Sequence, residues 1–259
     1  MPLAETYKGY AKTMWDRLSA LATWQPDVPL AVGDVVTPGA GGVVTRETTL
    51  AKLGVSPERL THSRHMASPV REHSGVAVAA SGSAVVASAG KARASFARQS
   101  SFLVVTEQGW LDATDSMAEA RAVVEDLAAR ELWGPGWHLV TSVRRYPACT
   151  IVIAKDAGAV AEVTVDLSAG GVAVPESIQA GAHVGVNSDH ASHWVMSFGS
   201  TPFYEAIGMK RRGLRRRASA TQTDYLTRDL DAVGADESLS EEDVVWVAQR
   251  SSPVDVGLL

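Results

Sequence analysis

Between Ser74 and Thr106 the chain alternates with a period of two. Val76 and Val78 are interleaved with small residues, Ala92, Ala94 and Phe96 with Arg93 and Ser95, and Phe102-Leu103-Val104-Val105 follows. Successive side chains of a strand point to opposite faces, so this pattern over such a span predicts long antiparallel strands. A hairpin turn is expected at Ala87-Ser88-Ala89-Gly90. The pattern returns at Val160 to Leu167, where Val163, Val165 and Leu167 face one way and Thr164 and Asp166 the other.

Helical segments flank these strands. Leu3, Tyr7, Tyr10, Met14, Leu18 and Leu21 recur at spacings of three and four, which predicts an amphipathic helix. Trp24-Gln25-Pro26 ends it, because proline disfavours helix in the residue before it. Leu30 to Val36 reads as a strand, and the turn Pro38 to Gly42 leads to a second strand at Val43 to Thr45. Ser116-Met117-Ala118-Glu119 has the form of a capping box. It opens a helix that buries Met117, Ala120, Val123, Val124 and Leu127 and runs to about Leu132, where Trp133-Gly134-Pro135-Gly136-Trp137 breaks it. Strands follow at Leu139 to Arg145 and Thr150 to Ala154, and a last pair at His183 to Val186 and His193 to Phe198 surrounds the turn Asn187-Ser188-Asp189. Helix, hairpin, long strands, helix, long strands is an α+β order, not a βαβ alternation.

Composition narrows the function classes. With 46% hydrophobic and 20% charged residues the chain can bury a full core, and a net charge of -5 argues against general nucleic-acid binding. Cys149 is the only cysteine, so an intrachain disulfide and a thiolate-rich zinc site are both excluded. No signal-peptide pattern stands at Met1 to Glu5 and no uncharged apolar run reaches about 18 residues, so a cytoplasmic protein is expected.

Motifs for catalysis are missing: there is no Walker loop, Gly-x-Gly-x-x-Gly, nucleophile elbow or His-Glu-x-x-His. His190 and His193 beside Asp189, and His62 with His65, have metal-like spacing. Three-residue spacing joins two imidazoles only on a helix, so solvated or hydrogen-bonded histidines are the favoured reading. Cys149 at a strand start reads as a small buried residue. No catalytic, cofactor or metal site is assigned.

The C-terminal stretch is more informative. Lys210, Arg211, Arg212, Arg215, Arg216 and Arg217 concentrate positive charge, whereas Asp224, Asp229, Asp231, Asp236, Glu237, Glu241, Glu242 and Asp243 face Arg228 alone. Two readings stay open. One is an electrostatic latch whose basic block offers a membrane patch or a trypsin-like cleavage site. The other is a solvated linker before a small helix, capped by Ser240 with Asp243, over Val244 to Ala248.

Several segments, in order, resemble the pore-forming domain of gasdermins. Leu30-Ala31-Val32-Gly33-Asp34-Val35-Val36 is similar to the family's hairpin entry, and Arg98-Gln99-Ser100-Ser101-Phe102 to its serine-phenylalanine stretch. Trp137 to Val143 resembles the strand after the central helix, and Val174-Pro175 with Ala182 to Val186 the late strand region. The match spans roughly residues 3 to 200. The resemblance implies a twisted, largely antiparallel central sheet with long hairpins, flanking helices and a short C-terminal regulatory segment. It divides the chain into a pore-forming domain at 1–207, a basic linker at 208–222 and an inhibitory segment at 223–259.

The resemblance further implies no enzyme and no cofactor, but an autoinhibited effector of cell death in defence. An activating protease would cut at Arg211, Arg212, Arg215, Arg216 or Arg217, and the freed domain would move from cytoplasm to acidic lipid and form a homo-oligomer. Lys8, Lys12, Trp15 and Arg17 of the first helix are the candidate lipid contacts. Val76, Val78, Phe96, Phe102, Val163, Val165 and Leu167 are the candidate membrane-strand residues, since such strands need about 9 to 11 residues of alternating character. The same alternation describes an ordinary half-buried sheet. The chain departs from the family in having no cysteine before Cys149, where bacterial members carry a lipidated one, and in its short tail. Two other readings stand beside it: an adaptor whose acidic tail docks a basic partner, and an enzyme with a site near His183, His190 and His193.

Overall fold

A computed structural model of the chain describes residues 3–24, 27–39, 42–80, 89–166, 178–180, 185–186, 191–196, 199–213 and 244–250. Helix α1 spans Leu3–Leu18, and Tyr7, Tyr10, Ala11 and Met14 form its buried face. It ends earlier than Pro26 suggested: Ser19 adopts a left-handed conformation (φ 51°), and Leu21, read as part of the helical stripe, lies in the short strand β1 (Leu21–Ala22).

Strands β2 (Asp34–Pro38) and β3 (Val44–Thr49) form the expected hairpin. Its first strand starts four residues later than the pattern suggested, because the Asp34 carboxylate accepts the Ala31 N–H (2.8 Å) and Gly33 takes φ 90°, which makes residues 31–34 a turn. Next come β4 (His62–Ala67), β5 (Arg71–Ser74), β6 (Val76–Ala80), β7 (Ala89–Phe96), β8 (Phe102–Thr106) and β9 (Gly109–Thr114). Ala89 and Gly90, read as turn residues, belong to β7.

Helix α2 (Met117–Ala129) begins as its capping box requires, with the Ser116 side chain accepting the Glu119 N–H at 3.2 Å. Ala120, Val123, Val124 and Leu127 are buried. It stops at Ala129, before Leu132. The Leu132 N–H reaches back to the Leu127 carbonyl and Glu131 N–H to that of Ala128, a Schellman-type end with Glu131 at φ 57° where glycine is more usual. Strands β10 (His138–Tyr146), β11 (Cys149–Ala154), β12 (Val160–Asp166), β13 (Gly185–Val186), β14 (Ala191–Met196), β15 (Ser200–Gly213) and β16 (Val244–Arg250) complete the chain.

The fold is α+β with mostly antiparallel strands. The largest sheet has β10 and β15 at its centre. One edge of β10 pairs with β15, and the other with β2 and then β9; β3 and β4 lie beyond these two. The far edge of β15 carries β1 and then β16. Two four-stranded sheets, β14-β11-β8-β5 and β13-β12-β7-β6, complete the architecture. Helix α1 joins the cluster that links the large sheet to β8 and β11 through Tyr10, Phe102, Val143, Ile151 and Phe203. Helix α2 packs with Val35, Leu139 and Ile207 in a separate cluster.

Candidate functional site

The two four-stranded sheets repeat one order, because each strand of the first continues into a strand of the second. β5 runs into β6, β7 into β8, β11 into β12, and β13 precedes β14. They are therefore two long hairpins side by side, bent along one line. The expected final pair is corrected accordingly: β13 pairs with β12 and β14 with β11, so they are successive halves of one strand line and not partners.

The bend has a local cause on each of three adjacent strands. Gly75 (φ 64°), Ser100 (φ 61°) and Gly158 (φ 80°) all take left-handed backbone there. Hydrogen bonds nonetheless cross the line, from Ala97 N–H to the Gly75 carbonyl, Ser100 N–H to that of Ala154, and Phe96 N–H to that of Ala159. A Cβ on Gly75 would sit 2.4 Å from the Ser101 hydroxyl, so the crease closes on a residue with no side chain. Ser100 holds its conformation at a cost of about 1–2 kcal/mol for a residue with a Cβ.

The bend lets both arms share one apolar cluster. Ala92, Ala94, Phe96 and Val163 of the outer arms meet Leu103, Val105, Val152 and Ala154 of the inner arms around Ile178. Arg71 donates to the Ile178 carbonyl at 3.1 Å, and Gln179 N–H to that of Thr164 at 2.9 Å. The outer arms are one-sided, with Ala92, Ala94 and Phe96 buried and Arg93 and Ser95 exposed, whereas β8 and β11 are buried throughout.

Of the candidate strand residues, Phe96 and Val163 are buried in the creased cluster and Val76 and Val78 pack against it half-buried. Phe102 lies in the α1 cluster, on the other side of the inner arms. The Val165 side chain and Leu167 lie outside the described residues.

The first helix puts its cations next to carboxylates. Lys12 pairs with Asp16 at 2.9 Å, and Arg17 reaches Glu72 of β5 at 3.3 Å, which ties the helix to the first hairpin. Trp15 packs partly buried against the core, and Lys8 is half-buried on the same helix. Exposed pairs of this kind contribute about 0–1 kcal/mol and exchange readily for other anions.

The tail returns to the fold. β16 pairs along β15 from Ile207↔Arg250 to Gly213↔Val244 and packs beside α2. The small helix expected over Val244 to Ala248 is a strand, because the open edge of β15 supplies a ladder that local propensity cannot outweigh. β15 itself passes through the expected end of the body near Ile207 and stops at Gly213. Arg211 and Arg212, two candidate cleavage residues, are thus register partners of Trp246 and Val245 within a sheet. Arg215, Arg216, Arg217 and the acidic residues Asp224 to Asp243 lie outside the described residues.

Among the described residues the histidines do not converge, and the His193 side chain lies outside them. His62 and His65 on β4 face opposite sides of the strand, and no group of three metal-ligating side chains occurs among the described residues. His183, Asp189 and His190 lie outside them. Cys149 is buried and its thiol is pushed up to about 12 by burial.

One feature escaped the sequence reading. A cavity of about 600 Å³ opens between the last turn of α2, the Trp133–Trp137 loop, His138 and Met209 of β15. Only the Trp-Gly-Pro-Gly-Trp spacing could have signalled it. Comparison of the chain with protein-family models gives no match, and comparison with curated proteins gives none either.

Proposed function

We propose that this chain is a gasdermin-like pore-forming effector, held inactive by its C-terminal strand and released by proteolysis to permeabilise acidic-lipid membranes. The observation that carries the reading is the pair of adjacent hairpins creased along one line at Gly75, Ser100 and Gly158. Straightening the crease turns short arms into long strands. β7 and β8 contribute 8 and 5 residues, and β11 and β12 contribute 6 and 7, enough for the about 9 to 11 that a tilted membrane strand needs. Left-handed residues at the crease favour such a change, since the strain at Ser100 is relieved when the strand extends.

Arg17–Glu72 would break as the first hairpin moves, freeing Arg17 beside Lys8, Lys12 and Trp15 for acidic headgroups. Of the candidate cleavage residues, Arg211 and Arg212 are held in the β15–β16 ladder, where a protease cannot take the chain unpaired, so the proposed cut is at Arg215, Arg216 or Arg217. The homo-oligomer, the cell-death role in defence and the move from cytoplasm to membrane belong to the same proposal.

The test is dye release from vesicles of phosphatidylcholine with or without anionic lipid. A chain with a specific protease site placed in 214–243 should release dye from anionic vesicles after cutting and removal of the tail, and not before. Equal inertness of cut and uncut protein would sink the proposal. Tail-dependent capture of a basic partner without leakage would instead favour the adaptor.

A further inference from the structure

The large sheet has an open edge at β4. Among the described residues β4 pairs with β9 alone, in an unbroken register from His62↔Thr114 to Ala67↔Gly109. It contains neither proline nor glycine. A regular edge of this kind presents a row of free N–H and C=O groups to any strand that can pair with it. β3, another edge of the same sheet, is blunted by a register shift against β2 and by Arg46 and Glu47. β4 has no such shift.

The face beside this edge is apolar and positive. Met66 and Trp110 are register partners, so their side chains stand together on one face. Met66 is 57% exposed and Trp110 43%, and neither joins a core cluster. Single exposed apolar residues are ordinary, but a tryptophan beside a methionine along an open edge is a shelf on which an added strand can lay a side chain. Further along the same face Arg64 and Asp112 are partners. Arg64 donates to the Asp112 carboxylate from Nε at 2.6 Å and from Nη2 at 3.1 Å, and Arg145 donates to it at 2.9 Å. One carboxylate thus serves two guanidiniums. Asp112 is buried, whereas the Arg64 side chain is 60% exposed. A guanidinium carries more N–H donors than one carboxylate takes, and Nη1 of Arg64 donates to no group among the described residues. The charge that solvent meets here is positive.

We infer that the β4 edge binds an extended peptide of a partner protein that carries an apolar residue and a carboxylate at alternate positions. The peptide adds as a strand outside β4, its apolar side chain lying on Met66 and Trp110 and its carboxylate meeting Arg64. Other occupants match less of the surface. A lipid surface would cover the indole but leave the open backbone groups of β4 without partners. Full overlap of two antiparallel β4 strands would set Arg64 against His65 and bring no carboxylate. The inference does not depend on pore formation.

The probe is a fluorescently labelled peptide with blocked ends, Thr-Leu-Thr-Glu-Thr-Leu-Thr, whose leucines flank the glutamate on one face in either strand direction. The control, Thr-Leu-Glu-Thr-Thr-Leu-Thr, has the same composition with the glutamate on the opposite face. Anisotropy with the full chain should show saturable binding, roughly tenfold tighter for the probe than for the control. Arg64→Gln, in which Arg145 still serves Asp112, should bring the two peptides within about twofold of each other. Met66→Thr combined with Trp110→Thr, at exposed positions and checked for an unchanged melting profile, should weaken both peptides about tenfold. Amide hydrogen exchange in 62–67 should slow in the complex, which adhesion to the indole alone would not cause. No saturable binding of the probe at up to about 1 mM protein, a range that reaches weak millimolar affinity, would overturn the inference. So would equal affinity for the two peptides, a preference that survives Arg64→Gln, or unchanged exchange in β4. Capture by anionic vesicles, or self-association in light scattering, that is lost in the Met66→Thr and Trp110→Thr variant while the probe does not bind would assign the surface to lipid or to a second copy instead.

Discussion

If the tail restrains the molecule through the β15–β16 ladder, a covalent bond across that ladder should keep the protein inactive after the connector is cut. The register chooses the site. Ile207 is fully buried, a Cβ at Gly208 would lie 2.7 Å from the His138 ring, and Met209 lines the cavity, so Lys210↔Val247 is the first pair open to replacement. Paired residues of antiparallel strands have Cα atoms about 4.5–5.5 Å apart, inside the range of about 4.4–6.8 Å that a disulfide spans. Lys210→Cys with Val247→Cys should therefore oxidise without moving backbone. Cys149 will not compete, because it is buried and its thiol, at about 12, stays protonated. A tethered strand docks at an effective concentration on the order of millimolar. Cutting the connector at about 1 μM protein removes roughly a thousandfold of that, about 4 kcal/mol. Dye release from anionic vesicles after cutting should be absent in the oxidised variant and restored by reductant. Equal release by the oxidised and reduced forms would show that β16 need not leave.

Two further predictions concern buried polar groups, and both are read by urea denaturation. The Tyr7 hydroxyl donates to the Ala22 carbonyl, whereas the buried hydroxyls of Tyr10 and Tyr204 have no hydrogen-bond partner among the described residues. Tyr7→Phe should therefore cost about 1–2 kcal/mol while Tyr10→Phe and Tyr204→Phe are neutral or stabilising; a loss of similar size in all three would refute the assignment. Asp112 is held below the usual carboxylate range mainly by the hydrogen bond from Arg64 (2.6 Å), with Arg145 (2.9 Å) adding to it against the cost of burial. A lowered folded pKa contributes stability above the unfolded value near 3.9 and loses it as pH falls through the folded one. Asp112→Asn should cost about 1.5–3 kcal/mol at pH 7 and flatten the stability profile below about pH 4.

What the sequence carries well is whatever a single segment decides. The alternation in 92–96 became a strand with one buried face, and Ser116 with Glu119 started α2 where the capping box required. The crease could not be read this way. Gly75, Ser100 and Gly158 are far apart in sequence, and only strand pairing aligns them along one line. The turn at residues 31–34 was hidden because Asp34 captures a neighbouring N–H, which outweighs an apolar run. Residues 244–250 became a strand because β15 offers an unpaired edge, information that lies in Ser200–Gly213 and not in the segment itself. The cavity is similar: two tryptophans four positions apart are visible in any reading, but Glu125 and Met209 join them in its wall through packing alone.

The position of β16 limits how a tail could inhibit this fold. It lies in the plane of the large sheet, at the edge of β15 and beside α2, while α1 packs in the cluster shared with the hairpins. A strand in that place does not shield Lys12, Arg17 or the outer arms by covering them. Its ladder satisfies the backbone groups of Ile207 to Gly213, which are a pairing template when vacant. A tail effect carried by backbone pairing should tolerate side-chain changes in 244–250 that keep strand propensity, and should be lost on placing proline at Val247, the centre of the ladder. A tail effect carried by the charge of Asp224 to Asp243 would show the opposite sensitivity, with neutralised carboxylates releasing the protein and the proline variant leaving it restrained.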